Sequence, residues 1–216
     1  MKKKLSVPSD LSEITLGQYQ KFFKIQETNK DPYFLQCKMI EIFCNLDGLT
    51  VRKMKMTDAE RVANIINKMF EKKPPLIRSF NLEEKEYSFI PDLNNISFGE
   101  YIDLDTNISD WQNMHVAMNV LYRPVKQKLG EKYLIEDYDL EGKDSLVGMP
   151  MSVVMCSIFF FFHLGMDLSK TMVNYLENNQ EEALMEYQYL TENGDGSHPF
   201  IVSLRTILQD LKISLN

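Results

Sequence analysis

One pattern of helix starts occurs twice in this chain, and it constrains the fold more than any other feature. Val7-Pro8-Ser9-Asp10-Leu11-Ser12-Glu13-Ile14-Thr15-Leu16-Gly17-Gln18-Tyr19 is echoed by Ile90-Pro91-Asp92-Leu93-Asn94-Asn95-Ile96-Ser97-Phe98-Gly99-Glu100-Tyr101. From Leu11 onward the two align 82 residues apart, with one residue fewer between Pro91 and Leu93. Thr15 and Ser97 stand where an N-cap hydroxyl accepts from an otherwise unpaired amide of the first helical turn. Gln18 and Glu100 follow three residues later and complete a capping box. Ile14 with Tyr19, and Ile96 with Tyr101, sit at hydrophobic-staple spacing. Gly17 and Gly99 weaken a helix at its second position, which points to close backbone packing there. Each unit is preceded by a proline, suited to an extended approach rather than a helix interior.

Further elements follow in parallel. Asp31-Pro32 reads as an N-cap and first-turn pair, and Ser109 with Gln112 as another capping box. A third helix is expected from Thr57, boxed by Glu60, to about Lys73, with a stripe of Val62, Ile65, Ile66, Met69 and Phe70. Its counterpart runs from near Pro150 to Leu164. Leu76–Phe80 and Tyr87–Ile90 read as a β-hairpin around a polar turn, Asn81–Glu86. Lys4–Val7 is a possible equivalent of its second strand. Helices at about Leu168–Thr191 and Phe200–Ile213, separated by Asn193–Gly196, complete the chain. The expected fold is mainly α within the α+β class: two related helical halves joined by a β-hairpin, plus a C-terminal helical segment. The halves span 1–75 and 91–166, the connector 76–90 and the tail 167–216, within one continuous unit.

Composition sets limits on function. Of 216 residues, 44% are apolar and 25% charged, the balance of a globular chain rather than a disordered one. The net charge of −7 disfavours a general nucleic-acid binder, which needs a basic excess to neutralise phosphates. Three cysteines, an odd count, do not make a disulfide framework and fit a reducing cytoplasm. The N-terminal lysines are not followed by a signal-peptide core. The run Val153–Leu164 is about half of what a membrane span needs and reads as a buried helix.

Reactive motifs are sparse. The glycines form no phosphate loop, and neither a nucleophile elbow nor a zinc-protease signature occurs. No catalytic residue, cofactor or metal site is expected. His115 falls on an apolar helix face with Trp111 and Met118 and reads as a packed histidine; His163 ends a phenylalanine run and His198 precedes Pro199. Glu136, Asp137, Asp139, Glu141 and Asp144 cluster in what reads as a solvated acidic loop. Tyr122-Arg123, at the helix end that Pro124 enforces, and the Phe159–Phe160 pair are the residues selected for partner binding, because Tyr and Arg are enriched at interface hot spots and a phenylalanine face suits a partner helix. The 13 methionines add adaptable apolar surface.

The run Val7–Tyr19 and the later Phe98-Gly99-Glu100-Tyr101-Ile102-Asp103-Leu104 resemble a small protein family of tailed bacteriophages, chiefly crAss-like phages. Trp111, Met118, Leu121-Tyr122-Arg123-Pro124, Glu136-Asp137-Tyr138 and Leu164-Gly165-Met166 fit the same pattern, so the likeness extends along nearly the whole chain. The resemblance implies a virion or virion-assembly protein without enzymatic residues, found in the virion and, during assembly, in the host cytoplasm. The leading expectation is a cargo protein, stored in capsid or tail and released on infection, in multiple copies per particle and in contact with other virion or tail proteins. The alternative is a tail assembly chaperone or adaptor. An enzyme built on the acidic loop with His115 or His163 is the third reading.

Overall fold

A computed structural model of the chain describes residues 6–130, 132–139 and 146–178, with the backbone alone from 168 onward. The expected helices at about Leu168–Thr191 and Phe200–Ile213 therefore fall wholly or partly outside the described residues. Among those residues there are seven α-helices and four β-strands: α1 Leu16–Thr28, α2 Pro32–Phe43, α3 Gly48–Arg52, α4 Met56–Phe70, β1 Ser79–Leu82, β2 Lys85–Phe89, α5 Phe98–Asn107, α6 Met114–Leu121, β3 Tyr122–Leu129, β4 Lys132–Ile135 and α7 Met151–Asn178. The fold is mainly helical with a small antiparallel sheet in the order β1-β2-β3-β4.

The repeated pattern builds the same local structure twice. Asp10 and Asp92 each cap a one-turn 3-10 helix, Leu11–Glu13 and Leu93–Asn95, by accepting from Ser12 N and Asn94 N. Ile14 and Ile96 then return the chain to extended geometry. Both capping boxes are complete: Gln18 N donates to Thr15 Oγ1 (3.2 Å) and Thr15 N to Gln18 Oε1 (2.9 Å). Their counterparts are Glu100 N to Ser97 Oγ (3.3 Å) and Ser97 N to Glu100 Oε2 (2.6 Å). Asp31 caps α2 with Pro32 in its first turn, as its sequence signature implies.

Other boundaries differ from the sequence expectation. Thr57 is not a cap: α4 starts at Met56, and the carbonyl of Lys55 accepts from Asp58 and Ala59 (3.0 Å each). Ser109 is not a cap either. α6 starts at Met114 after Asn113 with no side-chain cap bond, and Asp110 instead closes the turn before it, accepting from Gln112 N (2.8 Å) and Asn113 Nδ2 (2.7 Å), because a carboxylate is the stronger acceptor. The helix expected to end near Leu164 continues through Gly165 to Asn178. A lone glycine costs about 1 kcal/mol, too little to stop an established helix. Ser6 and Val7 lie in no strand, while Lys4 and Leu5 fall outside the described residues.

The first hairpin is tighter than expected. Leu82 pairs with Lys85, leaving Glu83 and Glu84 as a two-residue turn with φ of 49° and 66°. Positive φ at both central positions matches the right-handed strand twist and is usually met by Asn-Gly. The segment Tyr122–Ile135, expected to be a helix end and loop, is a second hairpin. β3 follows α6 without a linker. Pro124 sits in β3 beside an irregularity between Val125 and Gln127, where a ladder tolerates a missing N–H.

Buried side chains of both halves belong to one hydrophobic cluster. Tyr19 of α1 meets Trp111 with ring centroids 4.6 Å apart and Phe70 of α4 at 5.6 Å. Gln20, only 9% exposed, ties α1 to the α5–α6 corner, donating to Trp111 O (2.9 Å) and Gln112 O (3.1 Å) and lying 3.0 Å from His115 Nδ1. No helix among the described residues is long and apolar enough to cross a membrane.

Candidate protein-binding surfaces

The residues selected from the sequence fall mostly inside the molecule. Tyr122 is 1% exposed, which overturns its expected place on an accessible surface. Its ring packs edge-on against Phe80 and Phe89, and its hydroxyl donates to Ile77 O (2.7 Å) 2.9 Å from Ser157 Oγ. Burial pushes its phenol well above the usual range. Arg123 is likewise largely covered: its Nη2 stands 2.9 Å from Glu100 Oε1, with side chains 12% and 8% exposed. Pro124 reads as a helix terminator and puts both residues at an exposed helix C-terminus, but the helix ends at Leu121, the chain enters β3 at once and β3 is flanked by β2 and β4. Phe159 and Phe160 are half-buried, and Phe160 meets Phe89 and Phe161 edge-on.

The chemical groups do not converge. His115 bonds to Gln20, His163 is exposed beside Phe162, and His198 lies outside the described residues. Of the acidic run, Asp137 stands 3.5 Å from Lys126 Nζ; Glu141 and Asp144 lie outside the described residues. Among the described residues no three His, Cys, Asp or Glu side chains are placed to share a metal ion. Tyr138 donates to Asp103 Oδ2 (2.7 Å), pinning the segment after β4 to α5; burial first, then that bond, raises its phenol. Cys44 and Cys156 are buried, and burial pushes Cys44 up to about 11 and raises Cys156 as well. Burial thus disfavours the thiolate, the nucleophilic form, at both. An open pocket of about 330 Å³ beside Gly17, lined by Gln18, Gln20, Lys21, Lys24 and Gln112, contains none of the histidine or acidic side chains.

Large apolar side chains are exposed instead at several points of the surface, Tyr33, Leu49 and Met56 among them, and two regions stand out. The first is the β3–β4 hairpin, where Leu129 is 81% and Leu134 62% exposed. Gly130 turns the hairpin with φ of 59°. Tyr133 and Ile135 face inward, and Tyr133 donates to Phe89 O (2.7 Å). Among the described residues β4 pairs only with β3 and is a sheet edge. The short apolar run Tyr133-Leu134-Ile135 behind the turn residue Gly130 is the sequence signal that would have identified it. The second is the start of α5, where Phe98, Tyr101 and Ile102 are exposed. The equivalent start of α1 is sealed, with Leu16 at 0% and Tyr19 at 1%.

Compared with protein-family models, curated proteins and solved structures, the chain matches none of them.

Proposed function

We propose that this chain is a non-catalytic, virion-associated protein of a tailed bacteriophage that acts by binding other phage proteins. The phage assignment is supported by the likeness of the Val7–Tyr19 and Phe98–Leu104 motifs to the crAss-like phage family. Binding is supported by one observation above all, the exposed edge strand β4 carrying Leu134 beside Leu129. An edge strand offers unpaired N–H and C=O groups, and the outward leucines add apolar area for a partner strand.

In this reading the protein is cargo, stored in the capsid or tail and released on infection. Its net charge of −7 disfavours adhesion to packaged DNA. The second reading is a tail assembly chaperone or adaptor, and the same β4 edge favours it, because strand addition is a reversible way to hold an unassembled component. Quantitative mass spectrometry of purified virions beside infected-cell lysate separates them. Many copies per particle support cargo and exclude a departing chaperone. Abundance in lysate with none in the particle reverses the choice. Absence from both during assembly overturns the phage reading.

A further inference from the structure

The first copy of the repeat is sealed by another part of the chain. The amide of Leu16 donates to Met149 O (2.9 Å) and that of Gly17 to Val147 O (2.8 Å), while Met151 N donates back to Ile14 O (2.7 Å). Pro150, with no N–H, stands opposite Thr15. A Cβ on Gly17 would lie 2.6 Å from Val147 Cγ1, so glycine is what allows this approach. The covering segment then runs directly into α7, whose Met151, Met155 and Ile158 are buried at 0–1% exposure.

The second copy keeps the same donors. Phe98 and Gly99 occupy the first two positions of α5, where an amide has no intrahelical acceptor. Among the described residues no backbone carbonyl outside the helix accepts from them. Phe98, the counterpart of the sealed Leu16, is 80% exposed.

The chain carries a second stretch built like the cover. Met149-Pro150-Met151 is matched by His198-Pro199-Phe200, 49 residues on. After the proline, Met151, Met155, Ile158, Phe159 and Phe162 correspond to Phe200, Leu204, Ile207, Leu208 and Leu211. That is the same apolar stripe at helical spacing, i, i+4, i+7, i+8 and i+11. Gly196 falls where Val147 faces Gly17 and offers no side chain to hinder the approach.

We propose that the C-terminal segment Gly196–Phe200 of this chain docks on the start of α5 as Val147–Met151 docks on the start of α1. Phe98 N then donates to His198 O, Gly99 N to Gly196 O, and Phe200 N to Ile96 O, with Pro199 in the place of Pro150. The stripe following Phe200 lies over Phe98, Tyr101 and Ile102. Residues 179–196 reach up to roughly 60 Å when extended, against a radius of gyration of about 17 Å for a domain this size, so the chain can close on itself. This inference is independent of the phage reading.

Residue-resolved hydrogen exchange on the full-length chain tests it. In the wild type, the amides of Phe98 and Gly99 are expected to be protected, as those of Leu16 and Gly17 are. Phe200→Asp is expected to speed exchange at Phe98 and Gly99 by at least about tenfold and to leave Leu16 and Gly17 unchanged. In the converse variant, Phe98→Asp, the amide of Phe200 is expected to lose its protection. Free exchange at Phe98 and Gly99 in the wild type overturns the proposal. Protection that survives Phe200→Asp overturns it in favour of another occupant. Protection that appears only as protein concentration rises assigns the face to a second copy and overturns docking within the chain.

Discussion

The two copies of the repeat have the same caps and different surroundings. In the first, the box residue Gln18 extends its amide to Ile42 O (2.8 Å) and Asn45 Oδ1 (3.2 Å) at the end of α2. In the second, Glu100 reaches Arg123 in β3, just past the end of α6, a charged pair in the matching place. The first start is covered by Val147–Met151; among the described residues the second is met only by the segment fixed by Tyr138. A capping motif thus specifies where a helix begins and leaves open what the helix start will bind. Gln18 makes neutral bonds that any nearby carbonyl can satisfy. Glu100 demands a cation, because a buried carboxylate without one is strongly unfavourable.

The sharpest way to break this comparison is to remove the cation. Arg123→Ala leaves Glu100 buried and unpaired and is expected to cost about 3–5 kcal/mol in chemical denaturation. Asn45→Ala, the matching change in the first copy, is expected to cost only about 1–2 kcal/mol, since it deletes one neutral bond at an exposed site and places alanine at a φ of 50°. Equal losses would show that the two contacts are energetically equivalent.

Leu16→Ala is next. Leu16 is fully buried under Met149, and its truncation is expected to lower stability by about 3 kcal/mol. Phe98→Ala removes a larger side chain that none of the described residues seals, and it is expected to cost less than Leu16→Ala, losing only what the C-terminal segment buries there. A reversal of that order, read from denaturation midpoints at constant m-value, would mean that the second copy carries the core.

The caps themselves are expected to be alike. Thr15→Ala and Ser97→Ala should each cost about 1 kcal/mol, and a difference above about 1 kcal/mol between them would show that the boxes are not equivalent. The smallest effect belongs to the hairpin between the copies. Replacing Glu83-Glu84 with Asn-Gly, a pair that favours positive φ, is expected to stabilise by up to about 1 kcal/mol and raise the melting temperature by a few degrees.

Local chemistry was readable residue by residue. Thr15 with Gln18, Ser97 with Glu100 and Asp31 with Pro32 mark real helix starts, because each cap is closed within four residues and needs nothing from elsewhere. The mainly helical class and the first hairpin follow for the same reason. Failures began where competing local options existed: the Ser109 hydroxyl against the Asp110 carboxylate, or Gly165 against the momentum of a long helix. The β3–β4 hairpin was hidden because Pro124 reads as a helix terminator, and its tolerance in a strand depends on the neighbouring bulge.

By itself, the sequence determined that two capped helix starts would form and that the chain would be predominantly helical, since those outcomes rest on interactions between residues three or four apart. Only the tertiary structure decided that Val147–Met151 seals Leu16 and leaves Phe98 exposed, that Tyr122 is core, and that Arg123 serves Glu100. Each of those depends on segments brought together across the chain, Val147 on Gly17 and β3 between β2 and β4, and no local pattern encodes which of two similar surfaces such a segment will cover.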